Sequence, residues 1–290
     1  MNRPKLILLV GVPGSGKTTY AKEQIEANTI HLSSDAIRKE LYGDESIQGD
    51  PAEVFYLMQK RAVEALNNGN DVIYDATNVT RKDRASIISI CPKFVQIEAR
   101  IIWAPIEMCI ERDASRDRTV GKAVIDKMLK RFQALYYDEG IDEIKVIFPD
   151  NFDSNLYTNT LFQLMKTPHD NPHHTLNIFD HCLEANKYIV NETGEYFSNI
   201  GFATLYHDIG KPYVKAFIDS KGNPCEQAHY YQHQCVGAWM SYGLLNTTPY
   251  VTWLISTHMD PFLNTKYYRN LPPYLKRNID ILHKADLAAH

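Results

Sequence analysis

Residues 11–18 read Gly-Val-Pro-Gly-Ser-Gly-Lys-Thr, which fits G-x-x-x-x-G-K-[ST] directly after the apolar run Lys5–Val10. Glycines let a backbone wrap closely round phosphate oxygens, and N–H groups at a strand-to-helix turn supply positive potential. Gly11, Gly14, Ser15, Gly16, Lys17, Thr18 and Thr19 are therefore the expected nucleotide-binding residues. Lys17 would neutralise the β- and γ-phosphates of ATP, and Thr18 would hold Mg²⁺. The loop specifies phosphate binding and says nothing of an acceptor.

Acceptor chemistry has three candidate sources. Ser33-Ser34-Asp35-Ala36-Ile37-Arg38 ends the next strand pattern. Transfer to a hydroxyl needs a group that orients it and takes its proton, a role that suits Asp35. Arg38, one turn on, could grip an acceptor phosphate bidentately. The same residues also make an ordinary helix start, with Ser34 capping, Asp35 favoured by the dipole and Arg38 solvated. Asp75-Ala-Thr77-Asn78 ends another strand at the same edge; Asp75, Thr77 and Asn78 either line the acceptor pocket or form a polar turn. Arg112, Arg116 and Arg118 follow a helix beginning near Ile106. Fixed positive charge there could close on a transferring phosphate, or the helix could simply face solvent and pair with Asp113 and Asp117.

The remaining chemistry is imidazole. His31 is alone among residues 1–150, and the other ten histidines lie at or beyond His169. His207-Asp208 closes an apolar stretch. His181 lies 26 residues before His207, Asp286 lies 78 after Asp208, and His233 and His258 fall between. Imidazole with carboxylate suits Mn²⁺, Fe²⁺, Ni²⁺ or Zn²⁺, and such a metal helps hydrolyse phosphoesters. Lys211 could hold a further phosphate oxygen. A satisfied histidine pair in a helical core is the plainer alternative for one His-Asp dipeptide. His31-x-Ser33 and His173-x-Thr175 mimic a paired H-x-[ST] phosphoesterase motif, but they fall in different expected domains.

The elements that would position these groups divide in two. In the first half Lys5–Val10, Ile30–Ser33, Asp71–Asp75, Gln96–Trp103 and Ile144–Phe148 read as strands. Thr18–Asn28, Ala36–Tyr42, Ala52–Asn67, Lys82–Ser89, Ile106–Ser115 and Ala123–Tyr137 read as helices between them. That alternation implies a parallel sheet with helices on both faces. Thr175–Asn191, Asn199–Tyr206, His229–Leu245, Val251–Thr257 and Leu275–Ala289 read as helices of an all-α second half. The expected boundaries are a domain over 1–152, a linker over 153–168 and a second domain over 169–290. Four residues follow Asp286, so fraying of that helix end is expected to loosen it as a ligand.

Composition narrows the setting. The chain has 290 residues and a net charge of −4, with a pI of about 6.3. Residues 1–150 hold 21 Lys+Arg against 23 Asp+Glu and residues 151–290 hold 10 against 12, so charge does not separate the halves. Coating of long nucleic acid needs a basic footprint, so any nucleic-acid contact is expected to span a few nucleotides. The five cysteines form no CxxC pair and are odd in number, which fits a reducing cytoplasm. The apolar run before Gly11 is far short of the ~20 residues that cross a bilayer, and Gly11–Pro13 cuts it off as a signal-peptide core. No membrane partner is expected.

GVPGSGKTT, SSDAIR, DATN and CIERDASRDR-TVGKAV occur in an order that resembles the 5′-hydroxyl polynucleotide kinases of end-healing systems, over roughly residues 4–150. The resemblance implies an α/β P-loop kinase domain in which Asp35 is the general base, Arg38 contacts the phosphate beside the acceptor hydroxyl and Arg116 is the lid arginine. The DxDGT-like phosphatase motif that often accompanies such kinases is missing. HHTLNIFDH, LYHDIGKP, HYYQHQCVGA, STHMD and HKADLAAH together resemble the HD superfamily of metal-dependent phosphohydrolases over about residues 169–290. The similarity is strongest to HD modules linked to tRNA nucleotidyltransferases and end-healing enzymes. It implies an all-α HD domain with His181, His207, Asp208 and Asp286 as the ligand set. His233 and His258 would hold a second metal, with Asp208 bridging. His174 and His229 are expected behind the ligands, and His169, His173, His283 and His290 at the surface.

The whole implies an enzyme with two centres. One phosphorylates 5′-OH ends of RNA or DNA with ATP, and the other removes a 2′,3′-cyclic or related terminal phosphate. No K-x-D-G motif is present, so sealing would fall to a separate ligase. The alternatives are a nucleoside or metabolite kinase fused to an HD nucleotidase, and a nucleotide-gated binding module.

Overall fold

A strand buried on both faces reads as a nearly unbroken apolar run, and Leu6, Leu8, Leu9 and Val10 are all fully buried. A computed structural model describes residues 3–171, 175–194 and 198–289. His173, His174 and His290 therefore lie outside the described residues. The chain divides into two units, one of residues 1–128 and 135–150, the other of residues 129–134 and 151–290.

Unit 1 runs β1 (Lys5–Val10), α1 (Lys17–Glu23), β2 (Thr29–Ser33), α2 (Ser34–Tyr42), α3 (Pro51–Asn67) and β3 (Asp71–Asp75). It continues with α4 (Arg81–Ile88), β4 (Gln96–Ile102), α5 (Ile106–Ala114), α6 (Lys122–Leu129) and β5 (Glu143–Ile147). The five strands form one parallel sheet in the order β2-β3-β1-β4-β5. The loops that follow β1, β2 and β3 therefore leave the sheet along one edge, where open α/β sheets hold ligands. Side chains alternate across a strand. Ile7, Leu9, Ile73 and Ile102 accordingly share a face and pack with Ala21 of α1.

Asp113 at the end of α5 is buried, and its carboxylate accepts from Val120 N and Gly121 N at 2.9–3.2 Å. This fixes both ends of the 115–121 loop that carries Arg116 and Arg118. It also takes Asp113 out of any pairing with solvent-facing arginines. The helix expected over Ala123–Tyr137 stops at Leu129. Residues 129–134 enter unit 2, where buried Phe132 meets Trp239 edge-on at 5.4 Å between ring centroids.

Unit 2 holds α7 (Ser154–Met165), α8 (Ile178–Thr193), α9 (Asn199–Tyr206), α10 (Lys211–Val214), β6 (Ala216–Ile218) and β7 (Pro224–His229). It ends with α11 (His233–Ser241), α12 (Pro249–Thr257), α13 (Asp260–Leu263), α14 (Lys266–Asn270) and α15 (Pro273–Ala288). Two expectations are corrected. The segment read as a linker contains α7, capped by Asp153 and burying Leu161 and Met165. The segment read as all-α contains an antiparallel pair, β6 with β7. Gly222 at φ 88° and a 2.8 Å bond from Asp219 N to Asn223 O make its tight turn. Strands this short carry no readable period, and His229, taken for a helix start, ends β7 instead. Among the described residues no helix is long and apolar enough to cross a membrane.

Candidate functional site

In unit 1 the phosphate loop is shaped by close backbone approaches. A Cβ on Gly14 would fall 2.0 Å from Cys109 O, and one on Gly11 would fall 2.8 Å from Ile102 O. Gly14 and Gly16 also hold φ of 79° and 106°, a left-handed backbone that glycine adopts without steric cost. Lys17 is buried, and its Nζ donates to Val12 O at 3.0 Å. Burial lowers its pKa to about 8. Asp75, Cys109 and Asp35 oppose that shift, and Arg116 adds to it. A cation held in a dry, glycine-shaped loop with no acidic residue of its own fits the phosphates of a nucleotide. Thr18 and Thr19 lie exposed, so neither hydroxyl is sealed into the core.

The acceptor residues are only partly where the motifs led. Asp35 opens α2 and is half exposed; its Oδ1 accepts from Arg38 Nη1 at 2.8 Å. Arg118 Nη1 lies 3.7 Å from the same oxygen and 3.8 Å from Glu45. The three arginines thus separate in space. Arg112 Nη1 reaches Ser15 O at 3.5 Å, Arg116 acts on Lys17, and Arg118 sits at Asp35. Asp75 faces the phosphate loop. It is buried, and its Oδ2 accepts from Thr18 Oγ1 at 3.1 Å and from His31 Nε2 at 3.2 Å. Asn78 is bonded within its own turn and to β1. Its amide donates to Leu9 O at 2.7 Å, and its own carbonyl accepts from Arg84. It braces the loop at φ 48°, and Thr77 contributes its backbone carbonyl to Gly11 N at 3.0 Å. Arg84 is fully buried and meets Glu139 through two 2.7 Å bonds.

In unit 2 the widely spaced histidines meet. One oxygen or nitrogen from each of His181, His207, Asp208 and Asp286 lies within 4.8 Å of the others, and Asp208, His233 and His258 form a second such group. Their side chains come from α8, the α9–α10 junction, α11, the end of α12 and α15. Each imidazole is oriented the same way. Nδ1 donates to a backbone carbonyl: His181 to Ala289 at 2.6 Å, His207 to Thr204 at 2.6 Å, His233 to Tyr230 at 2.9 Å and His258 to Ile255 at 2.7 Å. A carbonyl cannot donate, so Nδ1 carries the proton and the Nε2 lone pairs turn inward. His233 Nε2 and His258 Nε2 stand 3.1 Å apart, while Asp286 Oδ1 lies 2.9 Å from His181 Nε2 and 3.2 Å from His207 Nε2. Converging lone pairs and carboxylate oxygens fit one or two divalent cations.

The buried imidazoles and carboxylates of the set act strongly on one another's charge. Burial alone would lower the His207 pKa, yet Asp208, Cys182 and Asp286 outweigh it and hold it well above the usual value. Burial would raise Asp286, but His207 and His181 hold its carboxyl far below the ordinary range. Burial, with His233 and His207 nearby, drops His258 to about 3. The Lys211 ammonium stands 2.6 Å from Asp208 Oδ2.

Sequence reasoning missed two residues here. His169, expected at the surface, is buried, and its Nε2 lies 3.3 Å from Lys211 Nζ. Its Nδ1 donates to Leu176 O at 2.8 Å, the same orientation as the four inward imidazoles. His31, alone among residues 1–150, enters the sequence reading only through the H-x-[ST] pattern, which gives no sign of its bond to Asp75. His283 is half-buried rather than exposed, and His229 stacks on Tyr231 with centroids 5.2 Å apart. Asp286 is not loosened by fraying: α15 continues to Ala288, and the Ala289 carbonyl is bonded to His181.

Residues 6–135 match the family model described as AAA domain. Transcription factor bHLH140 of Arabidopsis thaliana is 26% identical over 152 residues, which is 50% of this chain and 16% of that protein. A solved structure of the Pnkp1/Rnl/Hen1 RNA repair complex is similar at 25% identity, covering 45% of this chain and 44% of that one, with a TM-score of 0.41. A gluconokinase from Sinorhizobium meliloti 1021 is similar at 16% identity, covering 52% of this chain and 86% of that one, with a TM-score of 0.36. The chain thus spans only a small part of the curated relative and less than half of the repair-complex chain. At such TM-scores the two structural likenesses carry no functional inference.

Proposed function

We propose that unit 1 transfers the γ-phosphoryl group of ATP to a hydroxyl, and that the acceptor is the 5′-OH end of RNA or DNA. The observation that carries the transfer is the buried Lys17 ammonium held in the glycine-shaped loop, with Asp35 near the start of α2 bonded to Arg38 and close to Arg118. Lys17 exchanges its contact with Val12 O for phosphate oxygens. Asp35 releases Arg38, orients the acceptor hydroxyl and takes its proton. Arg38 then holds the acceptor, while Arg116 and Arg112 offset charge on the transferring group. Thr18 would hold the Mg²⁺ that accompanies the nucleotide, and the ion would supply counter-charge for its phosphates. The nucleic-acid acceptor rests on the resemblance carried by GVPGSGKTT, SSDAIR, DATN and CIERDASRDR.

A smaller acceptor is the second reading. The loop and helix start beyond Asp35 carry Asp44, Glu45, Asp50 and Glu53, and carboxylates there oppose a polyanion.

For unit 2 we propose an HD-type phosphohydrolase acting on a 2′,3′-cyclic or other terminal phosphate. His181, His207, Asp208 and Asp286 would hold one divalent transition metal, and Asp208, His233 and His258 a second. The metal would supply hydroxide at neutral pH and a counter-charge for phosphoryl oxygens. The backbone carbonyls fix each imidazole's tautomer. Lys211 is held between Asp208 and His169, from where it can meet a phosphate oxygen.

One oligonucleotide tests both centres. It bears a 5′-OH and a 2′,3′-cyclic phosphate and is incubated with ATP, Mg²⁺ and Mn²⁺ or Ni²⁺. Both ends should change. Lys17→Ala should abolish only the 5′ reaction and Asp208→Ala only the 3′ one. Labelling of free nucleosides in preference to the oligonucleotide would select the second reading.

A further inference from the structure

We propose that His31 is a positioning residue for the divalent cation that accompanies the nucleotide, acting through Asp75 on the Thr18 hydroxyl. The inference rests on the nucleotide-binding reading of the phosphate loop and goes beyond the residues that reading uses.

The geometry follows from the sheet. In the parallel pairing of β2 with β3, His31 stands opposite Ile73 and Ser33 opposite Asp75. Two-residue alternation therefore puts His31 and Asp75 on one face. Ile73 packs there against Ala21 of α1, the helix that begins with Lys17 and Thr18. His31 Nε2 reaches Asp75 Oδ2 at 3.2 Å, and Thr18 Oγ1 reaches the same oxygen at 3.1 Å. The His31 side chain is 17% exposed and that of Asp75 4%, so water competes little for the bond between them.

Two donors on one oxygen have consequences. A carboxylate held by a single bond can rotate about its last torsion; a second donor on the same oxygen fixes it. A threonine hydroxyl has one proton. With that proton directed at Asp75, the lone pairs of Thr18 Oγ1 face away from Asp75, toward the open side of the loop. That is the arrangement a cation ligand needs. His31 therefore acts at one remove: it holds the carboxylate that aims the hydroxyl. Nothing in its surroundings gives it another polar partner among the hydrogen bonds described for the site.

The test separates cation-dependent from cation-independent nucleotide binding. ATP affinity is measured by calorimetry on the full-length protein with excess Mg²⁺ and again in EDTA, for wild type, His31→Ala and His31→Gln, each checked for folding by thermal melting. The wild type should bind ATP more tightly with Mg²⁺. His31→Ala should lose about tenfold of that tightening, the scale of one hydrogen bond to a charged group, with affinity in EDTA unchanged within about twofold. His31→Gln, which can bring an amide N–H to the same oxygen, should recover most of the loss. Under turnover, His31→Ala should need more Mg²⁺ to reach half-maximal rate, with the rate at saturating Mg²⁺ largely restored. Equal loss with and without Mg²⁺ would reduce His31 to a structural role, and an unmoved His31→Ala would overturn the assignment. A wild type that binds no ATP would remove the nucleotide reading itself, and this inference with it.

Discussion

The two candidate centres are assembled in opposite ways. The cradle of unit 1 is a contiguous stretch of backbone, Gly11 to Thr18, whose shape is set by glycine conformations and by contacts with Cys109 and Ile102. The centre of unit 2 contains almost no contiguous sequence: its six side chains come from positions 181 to 286, and backbone carbonyls orient the imidazoles. A backbone site tolerates changes in the side chains around it but not a Cβ within it. A side-chain site depends on every helix that delivers a ligand, and most on the residue both groups share.

That contrast can be broken most severely at Asp208, which belongs to both metal groups. Asp208→Ala should lower hydrolysis by on the order of 10³-fold and remove bound transition metal. Metal content and phosphatase rate would be measured on the same sample, with ATP-dependent phosphorylation unchanged. Asp35→Asn probes the other centre. Loss of the proton acceptor should reduce phosphoryl transfer by about 10²–10⁴-fold while ATP affinity holds, and single-turnover rates would show it. If ATP affinity falls instead, Asp35 belongs to the cradle and not to the acceptor side.

Arg84→Met tests how far the cradle depends on its scaffold. Glu139 would be left buried without its bidentate partner, and Asn78 O without its donor. Removing one member of a buried pair costs about 3–5 kcal/mol, to be read as a lower denaturation midpoint for unit 1.

The smallest expected effect is on pH. Lys17 has a pKa of about 8 in the empty loop because burial disfavours its charge, whereas bound phosphates would favour the charged form. Below that pH Lys17 is already protonated, so ATP affinity should be flat. Above it, binding must take up a proton, and affinity should fall by roughly tenfold per pH unit until the pKa of the bound state is reached. Titrations at pH 7, 8.5 and 9.5 would show the slope. Lys17→Arg should flatten it, since arginine stays charged.

Much of unit 1 was legible because its signals are local. All five strands fall within one or two residues of the expected ones, since each is an apolar run between turn residues. The phosphate loop needs only its own sequence. Asp75, Thr77 and Asn78 stayed open between an acceptor pocket and a polar turn for the complementary reason. A polar residue at a strand end looks alike whether it faces a ligand, a threonine on another helix or a carbonyl on a neighbouring strand. The β6–β7 pair and α7 were missed because strands of three and six residues and a polar-capped helix leave little periodic trace. His169 was missed because a histidine among Pro168, Asp170 and Asn171 reads as surface, and only the packing around Lys211 buries it.

What the sequence determined by itself was the chemistry available: a glycine loop that can only close tightly, a lysine and threonine at its end, and imidazoles crowded into one half of the chain. What tertiary structure decided was which of these face one another. Convergence of His181 with Asp286, or of His31 with Asp75, depends on strand register and helix packing across 105 and 44 residues of chain. Hydrophobic periodicity specifies which face of an element is buried, but not which neighbour that face meets.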